Sequence, residues 1–246
     1  MNIRSRFFSE EGCLPVKKIA LFDIAQITAL AIAAIYSVAM YFLIRAFGIA
    51  VTRIAYSLCF ALLFLRIANH QYIQKDFDPA KQLPFHLCSY CVALCFIAAM
   101  TKSPALLSIA FGIAPAAGAL ALLFPEDKAA KYPRLRFRSI EYYFSHINLV
   151  VMPVYTWRLL GFAPQFSILP IFIIVYATML LIAWAVNKVT GGNYMYIMRA
   201  PHSAPLELVQ KLFGLVGYRL IVLVGACSLF GVTYGVAALF AKFLKA

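Results

Sequence analysis

The chain has 246 residues, 64% of them hydrophobic and only 13% charged, with a mean hydropathy of +0.86. A soluble domain of this length is closer to half apolar and a quarter charged, so the composition excludes an ordinary globular enzyme or a separate soluble domain and indicates a membrane protein. The net charge of +13 sits mainly between and beside apolar runs, where it reads as an orientation and headgroup signal; no interleaved basic-aromatic pattern suggests a nucleic-acid partner.

In chain order, a polar N-terminal segment (1–18) precedes the first apolar run, which is too long for a cleavable signal. Runs able to span a bilayer need about 20 residues. Seven are read, at 19–44, 49–67, 84–100, 105–124, 140–159, 166–186 and 216–240, followed by a short tail (241–246). Breakers mark the connectors: Pro104, Pro125, Pro133, Gly161, Pro164 and the Gly191-Gly192 pair. Only helices satisfy the backbone in lipid at these lengths, so the expected fold is all-α, a single polytopic bundle of about seven transmembrane helices. Fifteen of the Lys and Arg residues fall on the N-terminal side of that bundle and six on the other, which predicts a cytosolic N-terminus. The densest basic run, 131–138, reads first as a topology signal; in a sharper reading Arg134, Arg136 and Arg138 hold an anionic headgroup.

The third run opens with the stretch that concentrates most chemistry, Gln82-Leu83-Pro84-Phe85-His86-Leu87-Cys88-Ser89-Tyr90-Cys91. Ionisable and polar groups at membrane depth are expensive, so their placement carries information. Asn69 and His70 close the second span, His86 and Cys88 open the third, Glu141, Ser145, His146 and Asn148 lie in the first half of the fifth, and Asn187 and Asn193 close the sixth. All fall toward one side. Counted from the apolar boundaries, Cys88 is ~6 Å past Pro84 and His146 ~9 Å past Ile140, so the two are expected at similar depth in a polar pocket.

Each residue also has a plain reading. Of the six cysteines, five lie in apolar runs, which argues against a secreted disulfide framework. Cys88, Cys91 and Cys95 share one helical stripe, and Cys91 and Cys95 are expected to be packing residues. His70 reads as interfacial and His202 as solvated, whereas His146, flanked by apolar neighbours in a span, needs a polar partner or a role; Tyr142 and Tyr143 stand one turn away and could orient its ring. Glu141 either pairs with Arg138 or serves the pocket. His86 and the three cysteines on one helix cannot surround one ion, so no metal and no cofactor are expected. A thiol-imidazole pair, by contrast, has a clear use: the thiolate attacks an ester carbonyl and the imidazole carries the proton. From the residues alone, any of several thiols and imidazoles could form such a pair.

The stretch Leu83-Pro84-Phe85-His86-Leu87-Cys88 resembles the LP-x-HLC signature of bacterial YwaF-type integral membrane proteins. Three more stretches resemble the same family in the same order: Gly118-Ala119-Leu120-Ala121-Leu122-Leu123-Phe124-Pro125, Phe144-Ser145-His146, and Asn187 followed by Gly192-Asn193-Tyr194-Met195-Tyr196. The family is related to vertebrate transmembrane protein 164, a cysteine-dependent phospholipid acyltransferase. The resemblance implies Cys88 as nucleophile, His146 as general base, His86, Ser89, Tyr142, Asn187, Asn193 and Tyr194 around the substrate pocket, a membrane phospholipid as substrate, and residence in a bacterial cell membrane. Two other readings stand beside the acyltransferase or lipid ester hydrolase. One is a small-molecule carrier, for which breaks at span ends rather than mid-membrane are a poor fit. The other is a structural protein pairing as a homo-oligomer through Gly231 and Gly235, a motif expected instead to pack within the bundle.

Overall fold

In the computed structural model, residues 7–8, 24–123, 136–162, 164–201 and 204–243 are described. They form seven helices, α1 Ile24–Phe47, α2 Ile49–Ala68, α3 Leu87–Thr101, α4 Pro104–Leu123, α5 Phe137–Leu159, α6 Leu169–Thr190 and α7 Ala204–Phe243, and no strand among the described residues. The all-α membrane fold expected from hydropathy is the one observed. Five segments are long and apolar enough to cross a bilayer by themselves. The other two helices are α3, which has 15 residues, and α5, which is interrupted by its own polar groups.

The bundle is organised around α4. More than half of its apolar window is buried, against 11% for α1 and 22% for α6 and α7. It packs on α3, α5 and α7, while α2 closes the group against α3 and α5, and α1 lies outside α2 and α5. Small residues permit this closeness, as van der Waals packing between helices in lipid requires. A Cβ on Gly112 would lie 2.2 Å from the Phe230 ring of α7, which is itself stacked at 4.3 Å on Phe172 and 4.8 Å on Tyr234. The outward faces are apolar, with Ile35 72% and Val189 88% exposed, an inversion of soluble burial that suits a hydrocarbon solvent.

Polar side chains tie helix ends. Gln26 Nε2 donates to the carbonyls of Leu122 and Leu123, closing α4 from α1. Arg53 donates to the carbonyls of Ala99 and Met100, closing α3 from α2. Each satisfies carbonyls that a helix end leaves without a partner.

Several boundaries differ from the hydropathy reading. The third helix begins at Leu87 rather than at residue 84, because His86 takes an extended backbone (φ −80°, ψ 154°) as its N-cap. The fifth begins at Phe137 rather than at residue 140, because Arg138, expected in the loop, pairs with Glu141 within the first turns. The second span continues through a π-helical turn, Asn69–Gln74, in which His70 is buried rather than interfacial. Pro115 and Pro153 lie inside α4 and α5, and Pro104 opens α4 instead of ending α3; a first-turn proline forfeits no helical hydrogen bond. The last helix extends back to Ala204 across a break at Gly214, whose φ of 66° and ψ of −177° only glycine adopts without strain. Gly231 and Gly235, expected to pack within the bundle, instead face open space, because Tyr234 and Ala237 carry the inward face of that turn.

Candidate active site

The first half of α5 carries two polar stripes with helical spacing. Glu141, Ser145 and Asn148 form one, Tyr142 and His146 the other, and all five are buried. For all but Ser145, burial is tolerable because hydrogen-bonding partners are present. Glu141 bonds Arg138 on its own helix and lies 3.4 Å from Arg66 at the end of α2. Asn148 accepts from the Tyr36 hydroxyl at 2.8 Å and donates to the Phe144 carbonyl. Ser145 Oγ faces the Cys59 thiol of α2 and makes no regular hydrogen bond.

His146 is the residue whose setting has chemical consequences. Its Nδ1 lies 2.6 Å from the Tyr142 carbonyl oxygen. A carbonyl only accepts, so Nδ1 carries the proton, and in the neutral ring Nε2 holds a lone pair. That is the tautomer of a general base. The ring is also held by Tyr142, whose own ring lies 4.2 Å away and whose hydroxyl donates to the Ala121 carbonyl at 2.7 Å. Behind the helix, a Cβ on Gly118 would come within 2.8 Å of the His146 carbonyl oxygen and 3.0 Å of Leu149 Cβ. Gly118→Ala is therefore expected to push α5 away from α4 at His146. The cost is about 1–3 kcal/mol of overpacking, outweighing the smaller gain in helix propensity. A lowered melting temperature of the detergent-solubilised protein checks this; an unchanged or raised one contradicts it.

Cys88 is the second residue of α3, half-buried and packed against the core. The N-cap residue of this helix, His86, makes no side-chain capping hydrogen bond, and the leading amide N–H groups, those of Leu87, Cys88 and Ser89, have no acceptor within the helix. Cys91 and Cys95, one and two turns deeper, are each 1% exposed and form part of the hydrophobic core.

The loop before α3 is held from α6. Gly191 closes α6 in the left-handed conformation (φ 73°). The Asn187 side chain then clamps the backbone of Tyr194 on both sides, accepting from its N–H at 2.7 Å and donating to its carbonyl at 3.0 Å. The Tyr194 hydroxyl donates to the Pro79 carbonyl at 2.6 Å and accepts from the Leu83 N–H at 3.0 Å. Burial raises the Tyr194 phenol above its ordinary pKa, so it stays protonated and able to donate. His86 lies against this structure, its ring 5.2 Å from Tyr194 and 5.3 Å from Tyr196. Met195 and Tyr196 both have positive φ, 53° and 55°, a conformation non-glycine residues keep only when their surroundings impose it.

The candidate residues thus fall into two groups. His86, Cys88 and Ser89 open α3, with Asn187 and Tyr194 bracing the approach; Tyr142 and His146 belong to α5. The two helices start at the same end of the bundle and pack together. Counted from the helix starts, Cys88 is in the first turn of α3 and His146 in the third of α5. Asn193 braces the loop instead of facing α3, since its side chain binds the backbone of Met198 and Arg199. Of the three arginines expected at a headgroup, Arg138 is engaged by Glu141, Arg136 is the N-cap of α5, and Arg134 lies outside the described residues. Sequence reasoning missed Arg66 as the second partner of Glu141 and missed the close approach at Gly118. A carboxylate within a span, which needs more than one cation to be buried, was the available signal for the former.

No curated protein and no solved structure matches the chain. The family model described as TMEM164 family matches residues 20–234, from before α1 into α7 and across both groups of candidate residues. The chain belongs to the TMEM164 family.

Proposed function

We propose that the protein is an intramembrane acyltransferase that moves glycerophospholipid acyl chains through a thioester on Cys88. The observation that carries this reading is the tautomer of His146: a buried imidazole with Nδ1–H committed to the Tyr142 carbonyl leaves Nε2 as a base. In the first half-reaction Nε2 takes the Cys88 proton, the thiolate attacks the ester carbonyl, the C–O bond breaks, and His146 returns the proton to the departing lysophospholipid hydroxyl. In the second half-reaction His146 takes a proton from the acceptor hydroxyl, whose oxygen attacks the thioester; the C–S bond breaks and the thiol is restored. With water as acceptor the same sequence is hydrolysis. The first-turn amides of α3 supply donors for the negative charge that develops on the carbonyl oxygen, and the helix dipole has the sign that favours an anion there.

Transfer of a labelled acyl chain from a phospholipid to a lysophospholipid by the purified protein tests the reading. Cys91→Ala and Cys95→Ala are expected to retain most of that activity, because their thiols are enclosed in the core and have no access to an ester. Loss of turnover in a folded Cys91→Ala or Cys95→Ala protein, with Cys88→Ala active, contradicts the assignment.

A further inference from the structure

Arg219 is a cation that the site above does not use. It stands in α7, five residues past the break at Gly214, in an otherwise apolar stretch. Its Nε donates to the Ile197 carbonyl at 2.8 Å, which leaves the two terminal nitrogens and their four N–H groups. Among the described residues no carboxylate pairs with it. A guanidinium beside an apolar span favours an anionic partner for those donors.

Beside Arg219, α6 and α7 part to form a cleft of about 280 Å³, lined by Ala177, Leu180, Leu181 and Trp184 of α6 together with Ile197 and Arg219. The α6 residues follow one face of the helix, from Trp184 near the end where the candidate site lies down to Ala177, about 10 Å deeper at the helical rise. The cleft opens outward, with Leu181 64% exposed and Trp184 43% exposed. Lys188 lies 5.9 Å over the Trp184 ring at the same end. Two cations therefore stand at the outer end of an apolar slot that descends toward the bilayer centre.

We propose that this cleft binds one glycerophospholipid molecule, its phosphate on Arg219 with Lys188 nearby, and an acyl chain along Ala177, Leu181 and Trp184. Charge complementarity and direction both favour a lipid: the cations are at the leaflet surface and the apolar wall runs inward. The cleft also adjoins the segment that braces the approach to α3, since Ile197 follows Tyr196, whose ring lies 5.3 Å from His86. As a binding site the cleft stands without acyl-transfer chemistry; its use as a donor or acceptor site rests on that reading.

Trp184 is a built-in reporter, because the chain has 2 tryptophans. Full-length protein carrying Trp157→Phe and Cys88→Ala, in neutral detergent, is titrated with phosphatidylglycerol brominated on its acyl chain. Saturable quenching of Trp184 is expected. Arg219→Gln, whose amide can still reach the Ile197 carbonyl, should weaken the apparent affinity about tenfold. Ala177→Phe, which narrows the slot without touching Arg219, should lower the quenching plateau. Brominated diacylglycerol, which lacks the phosphate, should bind like the Arg219→Gln protein does. Equal quenching by both lipids in all variants overturns the proposal in favour of nonspecific lipid contact, and competition by inorganic phosphate overturns it in favour of a free-anion site. Because Cys88 is absent throughout, failure of this binding and failure of the thioester mechanism are separately visible.

Discussion

Cys88→Ala is expected to abolish acyl transfer while leaving the protein folded, and His146→Ala to lower the rate by about 10²–10⁴-fold, the usual worth of a positioned general base. The two losses have different origins. Without Cys88 there is no atom to carry the acyl group, so no thioester forms. Without His146 the thiol is still present, but the proposed acceptor of its proton is gone. His146→Gln sharpens the comparison: the amide keeps a polar group near the Tyr142 carbonyl but offers no base, so its rate should match that of His146→Ala. Turnover of purified variants with matched melting temperatures measures this. Full activity in His146→Gln would reduce His146 to a hydrogen-bonded core residue and leave the proton transfer to another group.

Asn187→Ala should destabilise the protein by about 2–4 kcal/mol, because it leaves the buried N–H and the carbonyl of Tyr194 both without their side-chain partner. The clamp has two points, at 2.7 and 3.0 Å, and no other residue type reproduces both in the same reach. Its loss propagates. Tyr194 holds the Pro79 carbonyl and the Leu83 N–H, and His86 lies on its ring, so the segment that aims Cys88 loosens with it. Asn187→Asp tests the division of labour. The carboxylate still accepts from the Tyr194 N–H but cannot donate to the carbonyl, so part of the loss should remain. A thermal or denaturant melt that leaves Asn187→Ala equal to the parent would show that the strained Met195-Tyr196 turn is held by other contacts.

Helix number and order were legible because lipid imposes one rule on every span, and apolar length reports it. Helix starts were less legible where local pairing overrides hydropathy. Arg138 looks like a loop residue, yet its bond to Glu141 and the reach of Arg66 neutralise the charge, and α5 extends back to Phe137. In the opposite direction, Pro84 looks like the start of a helix, but the extended His86 delays it to Leu87. Within the site, residue types were readable and roles were not. Asn187 and Tyr194 were expected to line a pocket, whereas they hydrogen-bond backbone and brace the loop that precedes α3. Tyr142 orients His146 by both its ring and its carbonyl, and the second contact could not be anticipated from spacing, since it depends on a rotamer. The direction of Gly231 and Gly235 was likewise undetermined by sequence, because an apolar helix wrapped in lipid carries little amphipathic signal to say which face turns inward.

The most direct test of the central claim is peptide mass spectrometry of the purified protein after incubation with a phospholipid bearing a labelled acyl chain. The mechanism predicts a hydroxylamine-labile acyl adduct on Cys88, present in Cys91→Ala and strongly reduced in His146→Ala. An adduct on another residue, or turnover with no adduct on Cys88 at any time point, would contradict it.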